Sequence, residues 1–332
     1  MKKTGVFNIS LDFELHWGCF DGTPVLNEAA QQYFINTRNA IPETLSIFKE
    51  GGIHVTWAIV GMLYNKNIAD WENNKPAVIP GFNNPKVSAY EWINANGFYN
   101  DEDPFHFAPE YIELIKNTPH QEIGTHTYAH YFCLEEGQTK EAFEADIKKA
   151  CALAEASGIT IKSLVFPRNQ FNPTYLSVCK DAGITSIRSN PDIWYWSYSN
   201  VAGSFMKRFF RAGDAYLKFQ PIKKVYLSDI DTTTLPIQLP AARLYRPWRP
   251  KYPIENKLKI KRILKEMTAA AKTGAYYHLW WHPENFGKYP AQCLQELRVI
   301  VNHFNALHQK YGFETLTMEE VTNRLLQQKK SA

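Results

Sequence analysis

The stretch Val6-Phe7-Asn8-Ile9-Ser10-Leu11-Asp12-Phe13-Glu14 decides how the rest of the chain is read. It is rich in strand formers and nearly apolar until its end, as expected for a strand inside a parallel sheet or barrel. Its acids fall where such a strand emerges at its C-terminal edge, and in α/β barrels that edge carries the active site. Asp12 and Glu14 are two apart, so their side chains point the same way if the strand continues through them. His16 would share that side, but Trp17-Gly18 ends the run.

Working outward, a helix is expected over 28–50, stopped by Gly51-Gly52, and then a second strand over 53–60. This β-α-β order implies a parallel pair with a right-handed crossover. The alternation continues with a short helix over 109–117, a strand end at Glu122-Ile123-Gly124 and a helix over 139–157. Strands at 163–167 and 184–188 flank a helix that starts at Asn172-Pro173. A basic helix over 256–273, a late strand over 274–281 and a helix over 290–310 follow. The expected architecture is α/β: a distorted (β/α)7 TIM-like barrel occupying 1–332 as one catalytic unit, with irregular insertions near 65–109 and 197–255. The first insertion is expected either as a lid over the active-site edge or as a surface excursion packed by its own aromatics. Within the second, 204–219 is expected to be an amphipathic helix. Such a helix either lies on a membrane surface or packs against the barrel, and apolar faces at helical spacing are usually core. Arg243, Arg246 and Arg249 interleave with aromatics, an arrangement that suits a phosphate or sugar group or a solvated rim.

Composition narrows the class. The 332 residues carry a globular apolar content and a net charge of +4, which does not indicate nucleic acid. Five scattered cysteines with no C-x-x-C pair argue against a disulfide framework or a thiolate zinc site and fit a reducing compartment. The apolar stretch after Met1-Lys2-Lys3 is short and interrupted by acids, so no signal peptide is expected. No run of about 20 apolar residues occurs, and the expected location is the cytoplasm.

Gly124-Thr125-His126-Thr127-Tyr128-Ala129-His130 places two histidines four apart, on one face if the backbone there is helical. Two imidazoles so placed could share a divalent metal; they could equally be ordinary core or solvated histidines. Five strand ends carry unusual polar residues: Asp12/Glu14, His126/His130, Arg168, Asp192 and His282. In a parallel barrel these ends converge. One carboxylate and two imidazoles make a three-ligand site with an open position, the arrangement of catalytic zinc. A second carboxylate could accept the proton of a metal-bound water, and a histidine across the site could protonate a leaving amine.

Ser10-Leu11-Asp12-Phe13-Glu14, His126-Thr-Tyr-Ala-His130, Arg168-Asn-Gln-Phe171, Asp192-Ile-Trp194 and Leu279-Trp-Trp-His282 stand in the order of the polysaccharide deacetylase motifs. The chain resembles the polysaccharide deacetylase superfamily (carbohydrate esterase family four and its relatives) over residues 8 to 283. The resemblance implies a distorted seven-stranded barrel and metal-dependent hydrolysis of an N-acyl amide. It also implies roles. Asp12 is the base, Glu14, His126 and His130 hold one divalent ion, expected to be Zn2+, and His282 is the general acid. Arg168 orients Asp12, the backbone N–H of Phe171 helps bind the oxyanion, and Asp192 and Trp194 support the site and line the acyl pocket. The sequence departs from the motifs where Phe13 separates the two acids, the second of which is a Glu, and where Gln170 stands in place of a proline. Related enzymes with separated acids act on small amides or intracellular substrates.

The expected substrate is a carbohydrate or glycan precursor, such as a nucleotide sugar or lipid-linked glycan. Nucleic acid is not expected, and peripheral membrane contact is one of the two readings of 204–219. Another non-peptide C–N hydrolase, a deformylase or cyclic-amide hydrolase, is the second reading. A non-catalytic glycan-binding barrel is the third, and it would lack a base, acid or ligand.

Overall fold

The computed structural model describes residues 4–23, 25–199, 205–214 and 223–330. Among these the strands are β1 (Val6–Phe13), β2 (Val55–Ile59), β3 (Gln121–Thr125), β4 (Ser163–Leu164), β5 (Ser186–Ser189), β6 (Ile237–Pro240), β7 (Arg243–Leu244), β8 (Tyr276–Trp281) and β9 (Glu314–Thr315). The helices are α1 (Glu28–Gly51), α2 (Ile68–Asn73), α3 (Ala89–Asn96), α4 (Pro109–Lys116), α5 (Lys140–Ala156), α6 (Leu176–Asp181), α7 (Phe205–Gly213), α8 (Pro253–Thr273), α9 (Pro290–Tyr311) and α10 (Met318–Lys330).

All named strand pairs are parallel, in the order β6-β5-β4-β3-β2-β1-β8-β7, with β9 beside the start of β1. The two ends of that order are consecutive in the chain. β6 pairs with β5 and β7 with β8; between them Ala241 N–H donates to the Ser189 carbonyl and Ala242 N–H to the His278 carbonyl, both at 2.8 Å. One bent strand therefore changes partners and closes the barrel, so β6 and β7 fill one of seven strand positions. This is the distorted seven-stranded α/β barrel expected from the alternation of strands and helices.

Strand alternation sorts the side chains into two layers. Phe7, Ile9, Leu11 and Phe13 of β1 join the large outer core under the helices, with Tyr277, Leu279 and Trp281 of β8. Phe7 stacks on Tyr277, Phe304 and Phe313. The other face of β1 is polar and points into the barrel. The Asn8 carboxamide accepts from the Tyr276 hydroxyl, and Ser10 Oγ lies 2.9 Å from His278 Nε2. Asp12 continues this inward row to the C-terminal mouth. At the opposite end Met318, Val321 and Leu325 of α10 pack with Val6, Tyr276, Ile237 and Leu239 and close the barrel floor.

The segment 65–109 is not a lid. It contributes α2 and α3, and its end wedges behind β1: His16 N–H donates to the Phe105 carbonyl, and Trp17 Nε1 donates to the His106 carbonyl at 2.9 Å. A buried chain of contacts runs from the Thr23 carbonyl through His16 and His106 to Asp103, with spacings of 2.7, 2.8 and 2.9 Å. A carbonyl and a carboxylate at the two ends both demand N–H donors, so the two rings satisfy the chain when they share three protons. Burial and the neighbouring His106 push His16 down to about 4. Of the expected amphipathic helix, α7 covers Phe205–Gly213; Ser204 and residues 215–219 lie outside the described residues. No helix among the described residues is long and apolar enough to cross a membrane.

Candidate metal and active site

The site is assembled where β1, β3 and β8 end. Asp12 occupies the last inward position of β1. The chain then leaves the strand: Glu14 has φ −126° and ψ −29°, and Leu15 is left-handed at φ 48°. This excursion turns the Glu14 carboxylate back over the barrel mouth. Gly18 makes the room, because a Cβ there would land on the Glu14 carboxylate.

His126 and His130 do not lie on a helix, so the condition under which their spacing alone would put them on one face is not met. β3 ends at Thr125, and the next residues form an irregular loop with Thr127 at φ 64° and His130 at φ 51°. Non-glycine residues in this region cost on the order of 1–2 kcal/mol each, and the surroundings hold them. Asp146 of α5 accepts from the amides of Tyr128 (2.6 Å) and Ala129 (3.0 Å). The Thr127 hydroxyl accepts from Tyr131 N–H, and Gly61 and Met62 N–H donate to the carbonyls of Thr127 and Tyr128. Burial pushes the Asp146 carboxyl up to about 7, against the two amides that favour its anion.

This loop delivers both imidazoles to Glu14. His126 Nε2 lies 2.9 Å and His130 Nε2 3.5 Å from Glu14 Oε1. All three residues are buried. His126 Nδ1 is 2.8 Å from the Val165 carbonyl, which can only accept, so the proton sits on Nδ1 and the Nε2 lone pair faces inward. His126 Nε2 and both His130 ring nitrogens nonetheless make no hydrogen bond of acceptable geometry. Buried polar atoms are normally paired. Three orphaned or underused donors within 4.8 Å of one another fit a shared cation, and the N2O set is one that zinc takes in open catalytic sites. Burial would raise the Glu14 pKa, but the imidazoles of His282 and His130 and the contact with His126 outweigh it and hold the carboxylate well below its usual range. Burial lowers His130 against the pull of Glu14.

Asp12 and His282 flank this cluster. His282 Nε2 is 3.7 Å from both Asp12 Oδ2 and Glu14 Oε1. Asp12 is gripped by Arg188 of β5, whose Nη1 and Nη2 donate to Oδ1 and Oδ2, each at 2.6 Å. Arg188 also donates to Ser10 Oγ and Asn169 Oδ1 and lies 4.1 Å over the Trp280 ring. Here the expected role of Arg168 is corrected. Arg168 is left-handed at φ 56°, which turns its side chain outward to an ion pair with Asp21, on the cleft wall away from Asp12.

Two further expectations are corrected, those for Asp192 and Trp194. The Phe171 ring packs against Phe166 and Tyr198, and Phe171 is not among the residues lining the cleft. Asp192 is exposed on a separate cavity of about 460 Å³ shared with Lys223, Lys224 and Tyr276, which holds none of the ligand cluster. Trp194 is half exposed against Phe210, because a tight 3-10 turn over Trp194–Trp196 turns Trp196 inward instead. Arg243 is likewise not at the mouth: it is buried in an ion network with Glu266 and Asp214. The cleft itself, about 410 Å³, is lined by Asp12, Glu14, Arg168, Trp196, Arg211, Arg246, Trp280, His282 and Glu284, among others. Its size is that of a small-ligand site.

Two side chains in this site escaped sequence reasoning. Arg188 had a signal, since a guanidinium in an apolar strand must be buried with a partner. Glu284 follows His282-Pro283 and is buried on the cleft wall; its Oε1 accepts from Glu14 N–H at 3.0 Å and from Leu15 N–H. Burial and the Glu14 carboxylate push it up to about 8. Gln170, where a proline was expected, ties the loop after His130 to the loop after β4: its Oε1 accepts from Leu134 N–H and its Nε2 donates to Glu135.

Comparison with known proteins bears on the fold and the family. No curated protein matches the chain. Among solved structures, a candidate polysaccharide deacetylase from Mycobacterium smegmatis superposes with TM-score 0.63 at 13% identity, covering 99% of this chain and 92% of that one. A candidate polysaccharide deacetylase from Pseudomonas aeruginosa gives 0.55 at 11%, covering 96% and 90%. The 4-alpha-glucanotransferase of Thermococcus litoralis gives 0.53 at 13%, covering 97% of this chain but 40% of that one. At these identities the likeness is one of fold, and the fold carries more than one chemistry. The family model for polysaccharide deacetylase matches residues 17–187, which span both histidines of the cluster and half of the chain. With that match, the chain belongs to the polysaccharide deacetylase family.

Proposed function

We propose that the chain is a metal-dependent hydrolase that removes an N-acyl group, N-acetyl in the first instance, from a carbohydrate precursor of a cell-surface polysaccharide. The observation that carries this reading is the convergence of Glu14, His126 and His130, with unsatisfied imidazole nitrogens, beside Asp12 and His282. Glu14 Oε1, His126 Nε2 and His130 Nε2 would hold the ion, Zn2+ by ligand chemistry. When bound, the ion supplies a water of lowered pKa and polarises the acyl oxygen.

The remaining work falls to this chain's own groups. Asp12 accepts the proton of the hydrolytic water, and two charge-assisted bonds from Arg188 keep its carboxylate aimed. His282, a third exposed and facing Asp12 across the cleft, delivers a proton to the leaving amine. Trp196 and Trp280 on the cleft wall offer apolar faces to a sugar ring. Arg211 and Arg246 on the same wall, beside an α7 that exposes Met206 and Phe209, favour a phosphorylated or lipid-linked carrier over a neutral polymer.

The test is acetate release by the Zn2+-loaded protein from N-acetylated nucleotide sugars, lipid-linked N-acetyl sugars and N-acetylated oligosaccharides. Release from the first two classes at the higher kcat/KM is expected. Release from the oligosaccharides alone would reject the precursor, and release from none would reject the deacetylase.

A further inference from the structure

Glu14 reaches the histidines by an unusual route. The regular ladder between β1 and β8 ends at the pair Leu11 and Trp281. Beyond it the chain turns at Glu14 and enters the left-handed region at Leu15, where both residues are buried. Buried amides need acceptors, and a left-handed leucine needs something to hold it. Glu284 meets both needs. It sits in the 3-10 turn Pro283–Phe286 that follows β8 and reaches across to β1 with one carboxylate oxygen, which accepts from the amides of Glu14 and Leu15. Its other oxygen has no hydrogen-bond partner. On the far side, the Glu14 carboxylate occupies the space that a side chain at position 18 would fill.

We propose that Glu284 is a positioning residue for the metal ligand Glu14: one of its oxygens pins the Glu14–Leu15 turn, and Gly18 leaves open the cradle into which the Glu14 carboxylate swings. The proposal rests on Glu14 being a ligand, as proposed above. It explains how an acid one residue further along the chain than an adjacent pair, and one methylene longer, presents its oxygen to the two imidazoles. What Glu284 must supply is reach and an acceptor oxygen, not a charge. Gln keeps both, whereas Asp keeps the carboxyl group and loses the reach.

The experiment is Zn2+ affinity by competition with a chromophoric chelator, together with the thermal midpoint of the metal-free protein, for wild type, Glu284→Gln, Glu284→Asp and Gly18→Ala. Glu284→Gln is expected within about threefold of wild type. Glu284→Asp and Gly18→Ala are expected to bind about 10–100-fold more weakly, the usual effect of removing a group that orients a ligand, with metal-free midpoints that do not account for the loss. Glu284→Asp binding as tightly as wild type would overturn the proposal, as would Glu284→Gln binding as weakly as Glu284→Asp. If a variant at 284 does not fold, Gly18→Ala decides: unchanged affinity there removes the cradle. A wild type without Zn2+ affinity would overturn the metal site as well, whereas the other failures leave that site standing.

Discussion

Arg188 and Asp12 face each other across the barrel, guanidinium to carboxylate, through two bonds of 2.6 Å. Both are buried, so neither charge is tolerable alone. Arg188→Met should cost about 3–5 kcal/mol, the range for removing one partner of a buried ion pair, and should abolish turnover. Arg168→Met, at a pair with an exposed arginine, should change stability by less than about 1 kcal/mol. Urea unfolding of both variants checks this; equal losses would return the orienting role to Arg168.

Base and ligand should separate by mutation. Asp12→Asn removes the proton acceptor but spares the ligands, so turnover should fall by about 10²–10⁴-fold with Zn2+ stoichiometry unchanged. His126→Ala should lose both. Metal content by atomic emission decides, and an undiminished content in His126→Ala would disprove the ligand set.

Asp146 gives a pH dependence with a defined sign. Its folded pKa, about 7, lies above the ordinary 3.8, so the native state holds a proton that the unfolded state releases. The resulting stabilisation is present at low pH and is lost as the pH rises from about 4 to about 7, on the order of a few kcal/mol. The stability difference between wild type and Asp146→Asn should therefore narrow over that window. Urea melts of metal-free protein at several pH values measure it, and a difference that widens with pH would show that the carboxyl is ionised.

The chain from Thr23 through His16 and His106 to Asp103 should be stabilising as a unit. His106→Ala removes the ring that joins the buried Asp103 carboxylate to the buried His16 ring and leaves each short of one partner. A loss of about 3 kcal/mol or more is expected from unfolding curves. A loss below about 1 kcal/mol would mean that the chain contributes little beyond packing.

The barrel was legible because its signals are local: an apolar run, a parity of two, a glycine stop. The same parity put Asp12 at the mouth, and the strand ends brought Glu14, His126, His130 and His282 together. What escaped depended on direction or on long-range reach. Arg168 stands at the expected place in the chain, but a left-handed backbone turns it away, and no composition rule reports the sign of φ. Arg188 meets Asp12 across 176 residues, and Glu284 meets Glu14 across 270. Trp196 replaces Trp194 through the phase of a single tight turn. The two histidines came together through a strained loop rather than through helical spacing.

The wedge behind β1 bears on how such a barrel can diversify. None of the cleft-lining residues comes from 65–109, while His106 and Phe105 of that segment reach the backbone and ring of His16, two residues from Glu14. Trimming or exchanging this segment would therefore disturb the ligand before it altered the substrate. New specificities are reachable instead through Arg168, Asn169, Trp196, Arg211, Leu244 and Arg246, which line the mouth without touching the ligand cluster. A chain built this way can change what it acts on while leaving its chemistry untouched.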